Sequence, residues 1–320
     1  MNKLSLELYK KLYLIRYTEE AIIENYDSDE MKTPMHMSMG EEAIVVGVCQ
    51  ALGSKSQTFG TYRSHALYLA ISQDTDGFFS EMYGKKAGVV RGKGGSMHLS
   101  YPEKDLMATS AVVASTIPVA VGSAYANKYL DNGKIVGVFF GDGAVDEGVF
   151  WESLNIACLM KLPIIFICED NGYAVHTETA KRHGYKSIEK IIENFKCKVF
   201  SSESTDVEEI YKISKSAVNF VKKKKKPIFL HFKYYRYLEH VGINWDFSAG
   251  YRSKKEFKKW FKKDPIAFQK KRLLKQKISK SQIEKAENAI AKQVEKSIQK
   301  AKKSPFAAYK EVFKDAFYES

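Results

Sequence analysis

Residues 135–171, IVGVFFGDGAVDEGVFWESLNIACLMKLPIIFICEDN, contain two short apolar runs on either side of a helical pattern. The runs at 135–140 and 163–168 have the length of buried strands, and apolar residues recur at helical spacing over 147–160. A strand, a helix and a second strand in this order make up the repeating unit of a parallel sheet. The stretch therefore predicts an α/β fold.

The rest of the chain continues the alternation of strands and helices. Apolar stripes and turn residues predict helices at 4–26, 40–52, 119–130 and from Asp206 to the lysines at 222–226, and strands at 57–61, 199–201 and 227–232. Pro118 is placed at the first helical position and Ser38 at the opening of the second helix. The predicted architecture is a parallel twisted sheet with helices on both faces.

Two further segments differ in character from this pattern. Residues 84–110 are rich in glycine without a clear period, which predicts a long loop, and such loops in compact domains are usually functional or disordered. Beyond Asp264-Pro265, Ser281 and Glu284 have the spacing of a capping box, followed by an apolar stripe. We therefore expect a main α/β domain at 1–265 and a basic helical extension at 266–320 packed on it.

Composition excludes several classes of protein. The 320 residues are 44% hydrophobic and 28% charged, as in ordinary globular proteins, and hold no 18-residue apolar stretch that could cross a membrane. The N-terminus has neither a signal-peptide nor a transit-peptide pattern. The four cysteines lie far apart, so we expect free thiols in a reducing cytoplasm.

The net charge of +13 is confined to one segment. Residues 251–303 hold 19 Lys and Arg against 5 Asp and Glu, whereas residues 1–250 hold 30 of each. The lysines alternate with hydrophobic residues at helical spacing, which favours a solvated helix face over a nucleic-acid groove. The lysines at 222–226 have the same interpretation, since cations suit a helix C-terminus.

Polar residues follow both strands of the opening stretch. Asp142 comes directly after the first strand, and Asn171 follows the second. Ligands of α/β sheets lie beyond the carboxyl ends of the strands, and carboxylate and amide oxygens suit a hard divalent cation. A Gly-Asp-Gly turn alone is weak evidence, but with Asn171 at this spacing it predicts Mg²⁺ and a phosphate-bearing ligand.

Six collinear motifs extend this evidence over most of the chain. They are MHMSMGEEA (35–43), TYRSH (61–65), RGKGGSMHLS (91–100), GDGAVDEGVFWESLNIA (141–157), LPIIFICEDNGYAVHT (162–177) and YYRYLEH (234–240). Together they resemble the alpha subunit of the thiamine diphosphate-dependent decarboxylating component of 2-oxo acid dehydrogenases. The resemblance implies the thiamine diphosphate-binding fold.

The resemblance also implies roles for individual residues. The cofactors are thiamine diphosphate and Mg²⁺, with Asp142, Asn171 and the backbone carbonyl of Tyr173 as metal ligands. Five further residues are expected to contact the cofactor, through a hydroxyl, a guanidinium or main-chain groups: Tyr62, Arg63, Val113, Gly143 and Ala144. Ala111, Ala114 and Thr116 depart from the family pattern around Val113.

Histidines match the reactive end of the family's site. His240 is the leading candidate for a catalytic and cofactor-contacting residue, and His36 is the second catalytic candidate. His65 and His98 are expected to support the site, whereas His176, His183 and His231 are expected to be structural. After His240 the family's hydroxyl residue and acid are replaced by VGINWD (241–246), which leaves the substrate open and argues against regulation by phosphorylation.

The family's activity requires a second chain. The resemblance implies an α₂β₂ heterotetramer whose beta subunit supplies a glutamate, with a 2-oxo acid as substrate and a lipoyl acyltransferase as further partner. An alternative keeps the cofactor and transfers the acyl or ketol unit to a non-lipoyl acceptor such as a sugar or aldehyde. A non-catalytic scaffold subunit and a nucleic-acid-binding protein are the remaining alternatives; retention of the site residues argues against the first.

Overall fold

Eight β-strands are present in residues 2–314, the part of the chain that this computed structural model describes. They are β1 (Ser56–Thr61), β2 (Leu106–Ser110), β3 (Ile135–Gly141), β4 (Ile164–Asp170), β5 (Tyr173–Ala174), β6 (Thr177–Glu178), β7 (Lys198–Ser202) and β8 (Ile228–Lys233). Six of them form one sheet in the order β2-β1-β3-β4-β8-β7, in which every pairing is parallel. The strands β5 and β6 form a separate antiparallel hairpin.

Helices connect the strands and continue beyond the sheet. They are α1 (Asn2–Tyr26), α2 (Glu42–Leu52), α3 (His65–Ser72), α4 (Thr75–Met82), α5 (Thr116–Tyr129), α6 (Gly148–Leu159), α7 (Thr179–Arg182), α8 (Ile188–Glu193), α9 (Val207–Lys224), α10 (Lys254–Phe261), α11 (Pro265–Lys275) and α12 (Lys280–Lys303). Short 3₁₀ turns lie at Pro102–Lys104, Asp142–Asp146, Phe247–Ala249 and Tyr309–Glu311.

The sheet is covered on both faces, as predicted. In β3 and β4, Phe139 and Ile167 join a hydrophobic cluster with residues of α1, α2 and α9. Phe140 and Phe166 point the other way, into a second cluster with residues of α5 and α6. Because successive side chains of a strand face opposite sides, a strand buried on both faces must be apolar throughout. This explains the unbroken apolar runs of the sequence.

The segment at 84–110 is only partly a loop. Its last five residues form β2, an edge strand of the sheet. The glycine-rich part is ordered by the carboxylate of Glu81, which is 1% exposed. That carboxylate accepts hydrogen bonds of 2.8–3.1 Å from four backbone N–H groups, those of Val90, Gly92, Gly94 and Gly95. The sequence did not point to Glu81, and α3 and α4 were also not predicted.

Three predicted helix starts were wrong. The capping box of α12 pairs Ser279 with Gln282, two residues before the predicted pair. This register buries both Ile278 and Ile283 in one hydrophobic cluster, at the spacing of a hydrophobic staple. Helix α5 starts at Thr116, so Pro118 lies inside the first turn, where a missing N–H breaks no helical bond. Helix α2 is preceded by Glu41 rather than opened by Ser38.

The C-terminal helices pack against the rest of the chain. Ile290 and Val294 of α12 belong to the same hydrophobic cluster as α1, and Ser297 donates a hydrogen bond of 2.6 Å to Asp76 of α4. A domain boundary at residue 265 stays a prediction, and residues 315–320 of the predicted extension lie outside the described part.

Other predictions from composition have clear structural counterparts. Lys222–224 form the exposed last turn of α9, which agrees with their interpretation as a helix end. All four cysteines are free, two of them buried. Within residues 2–314, no helix combines the length and apolar character that a membrane crossing needs.

The close approach of α2 and α9 predicts a stability difference between two glycines. A Cβ on Gly47 of α2 would lie 2.7 Å from Ile210 Cγ2 of α9, so Gly47→Ala should lower the free energy of unfolding by about 1–3 kcal/mol. Gly122 of α5 has open space around it, and Gly122→Ala should raise the same quantity by about 0.5–1 kcal/mol. Urea unfolding measures both. A Gly47→Ala variant as stable as Gly122→Ala would contradict this packing.

Candidate functional site

A pocket of about 250 Å³ lies at the carboxyl edge of the sheet, where β1, β3, β4 and β8 end. It is lined by nine of the ten residues that the sequence singled out: Tyr62, Arg63, Val113, Asp142, Gly143, Ala144, Asn171, Tyr173 and His240. The tenth, His36, lies directly behind Tyr62, with a ring-centroid distance of 4.7 Å. Residues from five separate motifs therefore meet in one place.

Asp142 is buried at the base of this pocket. One of its oxygens, Oδ1, has no hydrogen-bond partner, and the other, Oδ2, accepts from Thr179 at 3.3 Å and from Arg182. Burial, and then the negative charge of Asp170, raise the pKa of Asp142 to about 6. A buried carboxylate oxygen without a partner is costly unless a cation or donor completes it.

Asn171 lies beside Asp142 because β4 pairs with β3. The Asn171 side-chain oxygen accepts from Tyr173 N at 3.1 Å, and its nitrogen donates to the Tyr234 hydroxyl at 3.4 Å. These bonds fix the amide with its oxygen towards the turn that leads into β5. An amide oxygen accepts in two directions, so a second interaction remains available to it.

The backbone beyond β3 approaches the hairpin closely. A Cβ on Gly143 would lie 3.1 Å from Ala174 Cβ, so a larger residue would push the hairpin away. Gly143 and Ala144 belong to the first turn of the 3₁₀ segment at Asp142–Asp146. The first N–H groups of a helix lack partners within it and favour anions.

Arg63 connects the two segments that carry the candidate histidines. Its Nη1 donates to the Met37 carbonyl at 2.7 Å and its Nη2 to the His240 carbonyl at 2.9 Å. The side chain is almost buried, so this guanidinium is held in one orientation. It brings a fixed positive charge to the wall of the pocket.

Three rings form a compact group around that wall. The His36 and His240 rings meet edge to face at 5.4 Å, and the Tyr62 ring lies 5.6 Å from His240. Burial, and then the charge of Arg63, lower the pKa of both histidines to about 3. Both imidazoles are therefore neutral near pH 7, and His36 Nδ1 has no partner.

Among the pocket residues that the sequence did not single out, Glu41, Glu169 and Tyr234 form one wall. Glu41 and Glu169 are buried, and each has an oxygen, Oε1, without a partner. Burial raises the pKa of Glu41 to about 8 and that of Glu169 well above its usual range. Tyr234 completes this wall. Both glutamates lie inside the motifs quoted above, and Glu169 directly precedes Asp170. Their position within these motifs is the sequence signal that could have pointed to them.

The atypical loop after His240 is tied to the site by backbone bonds. Gly242 N donates to the Met35 carbonyl at 2.8 Å, and Asn244 N donates to Glu239 Oε1 at 2.9 Å. Gly242 has a φ of 121°, and a Cβ there would lie 2.2 Å from the Glu239 carboxylate. This turn therefore requires glycine. Asp246 further along pairs with Arg252 at 2.5 Å.

The other histidines lie outside the pocket lining. His98 is exposed and accepts from Ala111 N at 3.2 Å, and His176 is exposed beside Tyr251. His183 contacts Asp146 at 2.8 Å. His231 is buried between Asp170 and Glu189, and His65 is buried behind His36.

A metal at this site would need the mixed ligand set predicted from the sequence. In residues 2–314 no group of three or more His, Cys, Asp or Glu side chains is arranged to hold a metal ion. The unpartnered Asp142 oxygen and the adjacent Asn171 amide fit a hard cation that takes its other ligands from a carbonyl, phosphates and water. In this structure Arg182 supplies the positive charge beside Asp142.

The neutral histidines make the stability of the chain sensitive to acid. An unfolded histidine binds its proton near pH 6.5, whereas His240 in the folded chain does so only near pH 3. Its stabilising contribution is present above pH 6.5 and is lost as the pH falls. The gap in unfolding free energy between wild type and His240→Gln should therefore narrow by about 1.4 kcal/mol from pH 7.5 to 5.5. His98→Gln, at an exposed side chain, is the matched control. If the difference in unfolding free energy between wild type and His240→Gln is the same at pH 7.5 and 5.5, His240 is not neutral in the folded chain.

Comparison with known proteins agrees with this arrangement. The family model described as "Dehydrogenase E1 component" matches residues 10–310. The chain is 32% identical to the pyruvate dehydrogenase E1 component subunit alpha of Zymomonas mobilis, over 96% of this chain and 87% of that protein. It is 34% identical to the protein of the same name from Rhizobium meliloti, over 84% and 76% of the two chains.

A third relative with that name, from Rickettsia felis, is 29% identical over 97% of this chain and 94% of its own length. The similarity therefore covers both the motifs and the helices beyond them. It confirms the resemblance to alpha subunits of thiamine diphosphate-dependent 2-oxo acid dehydrogenases, and the chain belongs to the dehydrogenase E1 component family.

Proposed function

We propose that this chain is the alpha subunit of a thiamine diphosphate- and Mg²⁺-dependent enzyme that decarboxylates a 2-oxo acid and passes the acyl group to a lipoyl acceptor. The observation that carries the proposal is the convergence of Asp142, Asn171, Arg63 and His240 on one pocket. These residues follow four different strands, and a chance convergence of a cation site, an anion site and neutral histidines is improbable. The relatives named above are pyruvate dehydrogenase subunits, which supports a 2-oxo acid as the substrate.

The chain's own groups would hold the cofactor in two parts. Asp142, Asn171 and the Tyr173 carbonyl would bind Mg²⁺, and the Arg182 guanidinium would then leave Asp142. The N–H groups of Gly143 and Ala144, with Tyr62 and Arg63, would bind the diphosphate. The Val113 main chain would contact the opposite end of the cofactor. Bound thiamine diphosphate supplies the nucleophilic carbon and the electron sink for decarboxylation.

The neutral state of His36 and His240 suits a substrate with a carboxylate and a carbonyl. A neutral imidazole donates one hydrogen bond and accepts another, so each ring can hydrogen-bond to a substrate oxygen and also accept a proton from a donor group. Burial excludes competing water, which strengthens these interactions. The two rings act from the side of the pocket that Arg63 fixes.

An exposed apolar surface supports a beta subunit as partner. Leu159 at the end of α6 is 77% exposed and Tyr129 at the end of α5 is 80% exposed. The two helices pack on each other, and Val112, also exposed, leads directly to Val113 at the pocket. Large contiguous apolar surfaces mark protein interfaces. We place a beta subunit on this face, in an α₂β₂ assembly that completes the pocket.

The loop after His240 favours a second candidate function. Trp245 in this loop is 52% exposed, and its ring stacks on Phe247 and meets Phe257 of α10 edge to face. An exposed aromatic surface in the loop that follows His240 also fits a small acceptor such as a sugar or aldehyde. The alternative is therefore transfer of the acyl or ketol unit to a non-lipoyl acceptor.

The metal assignment can be tested by calorimetry of the α–β complex with thiamine diphosphate and Mg²⁺. Asp142→Asn removes the charge of a proposed ligand and should weaken Mg²⁺-dependent binding at least about 10-fold. Asp131→Asn, at the turn before β3 and thus at the opposite end of that strand, is the matched control and should bind like wild type. Equal affinity in both variants would remove Asp142 from the metal site.

The acceptor can be tested by measuring carbon dioxide release from a panel of 2-oxo acids. We expect a lipoyl domain to stimulate the release of carbon dioxide, and we expect the corresponding acyl group to appear on the lipoyl sulfur. The same panel with aldehydes and sugars replacing the lipoyl domain tests the second function. Release that depends on these acceptors, and not on the lipoyl domain, would establish the alternative.

A further inference from the structure

Three polar side chains form a buried chain of hydrogen bonds behind His36. They are Glu19 of α1, His65 at the start of α3, and Ser96 of the glycine-rich segment, and none has exposed surface. His65 Nδ1 lies 2.9 Å from Glu19 Oε1, and His65 Nε2 lies 2.7 Å from Ser96 Oγ. At one end, the His36 backbone N–H donates to Ser96 Oγ at 3.1 Å.

One set of donors and acceptors satisfies these contacts. Burial raises the pKa of Glu19 to about 7, and in its ionised form Glu19 Oε1 accepts both from Ser38 N at 2.7 Å and from His65 Nδ1. A neutral imidazole has one N–H, and His65 Nε2 must therefore accept from the Ser96 hydroxyl. The Ser96 oxygen is then free to accept from His36 N–H. Burial lowers the pKa of His65 to about 3, in agreement with a neutral ring.

An acid, a histidine and a serine in this order resemble a hydrolase triad, but the surroundings exclude that role. A nucleophilic serine must reach a substrate carbonyl. Ser96 has no exposed surface, and its oxygen is already occupied by the His36 N–H. The chain of bonds ends on a backbone, so its effect is on conformation.

That backbone carries His36 to its place behind Tyr62, at the wall of the pocket. Its two flanking carbonyls are also held, Met35 by Gly242 N–H and Met37 by Arg63. The Ser96 bond is the third restraint and the only one of the three that comes from the glycine-rich segment. With all three in place, the His36 ring meets Tyr62 and His240 at 4.7 and 5.4 Å.

We propose that Glu19, His65 and Ser96 form a positioning relay of fixed hydrogen-bond direction that orients His36 towards His240. Its catalytic consequence rests on the proposed function, in which His36 faces the substrate. The relay makes no contact with the pocket itself, and its three members are positioning residues. It also joins three distant segments of the chain, α1, α3 and the glycine-rich segment, at the back of the site.

Imidazole ¹⁵N–¹H spectra of the full-length chain, labelled at histidine, test the relay without any ligand. His65 should be a neutral Nδ1–H tautomer that does not titrate between pH 5.5 and 8.5, with its signals assigned by their loss in His65→Gln. An Nε2–H tautomer, or titration in that range, overturns the proposal. The tautomer and the titration are both observed on the wild-type chain, and His65→Gln serves only to assign the signals.

Ser96→Ala tests the link to His36. It should shift the His36 ring signals, whereas Ser214→Ala should not, because Ser214 is a buried serine of α9 whose hydroxyl has no partner. Unchanged His36 signals in Ser96→Ala overturn the positioning role. Ser96→Thr keeps the hydroxyl and should restore the wild-type signals.

In the α–β complex, Ser96→Ala should lower kcat on the order of 10- to 100-fold, since displacement of a catalytic group by about 1 Å has effects of this size. Thiamine diphosphate affinity should stay within a factor of a few, because the relay does not touch the cofactor groups. Ser96→Thr should recover most of kcat and Ser214→Ala should keep it. An unchanged kcat in Ser96→Ala contradicts the relay. If the wild-type complex does not bind thiamine diphosphate, that result contradicts the proposed function instead.

Discussion

Six residue pairs join β3 to β4 in parallel, from Val136 beside Ile164 to Gly141 beside Glu169, and the position of the site follows from that register. Both strands end at the same edge, so Asp142 and Asn171 are neighbours although 29 residues separate them. A shift by one residue would turn every apolar side chain of a strand to the opposite face. Since both faces are packed, the hydrophobic clusters hold the register and, through it, the polar site.

Burial of charge gives the pocket its chemical character. Asp142, Glu41 and Glu169 are all withdrawn from water, and two guanidiniums, Arg63 and Arg182, supply the opposing charge. In such surroundings carboxyl groups keep their protons to higher pH, whereas imidazoles lose theirs. Near pH 7 the imidazoles of His36 and His240 are therefore neutral, whereas Asp142, with a pKa of about 6, is largely ionised beside Arg182. A dry site of this kind strengthens interactions with an anionic ligand.

The sequence predicted the position of a residue best where a single strand or a single motif determines that position. Asp142 and Asn171 follow apolar runs, so their placement at the sheet edge could be predicted from local pattern alone. Glu41 was not singled out, because its neighbours in the pocket, Tyr234 and Arg63, are distant from it in sequence. The relay of Glu19, His65 and Ser96 also joins distant segments and leaves no local signal.

Helix starts show the same contrast between local sequence pattern and packing of distant segments. Both Ser279 and Ser281 have a glutamine or glutamate three residues later, so the local capping pattern fits either. Tertiary burial of Ile278 and Ile283 selects the first. Local pattern thus limits the choices, and packing between distant segments makes the selection. The family resemblance was of a different kind, since it singled out residues such as Tyr62 and Arg63 that local rules would interpret as an ordinary surface pair.

Glu81 gives the glycine-rich segment an unusual cooperativity. Four amides at residues 90–95 depend on one carboxylate rather than on each other, as they would in a helix or a strand. Loss of that single acceptor releases all four together, so the segment opens as one unit in hydrogen exchange rather than fraying from an end. Ser96 directly follows this unit, so opening of the segment would also loosen the Ser96 hydrogen bond to the His36 backbone N–H.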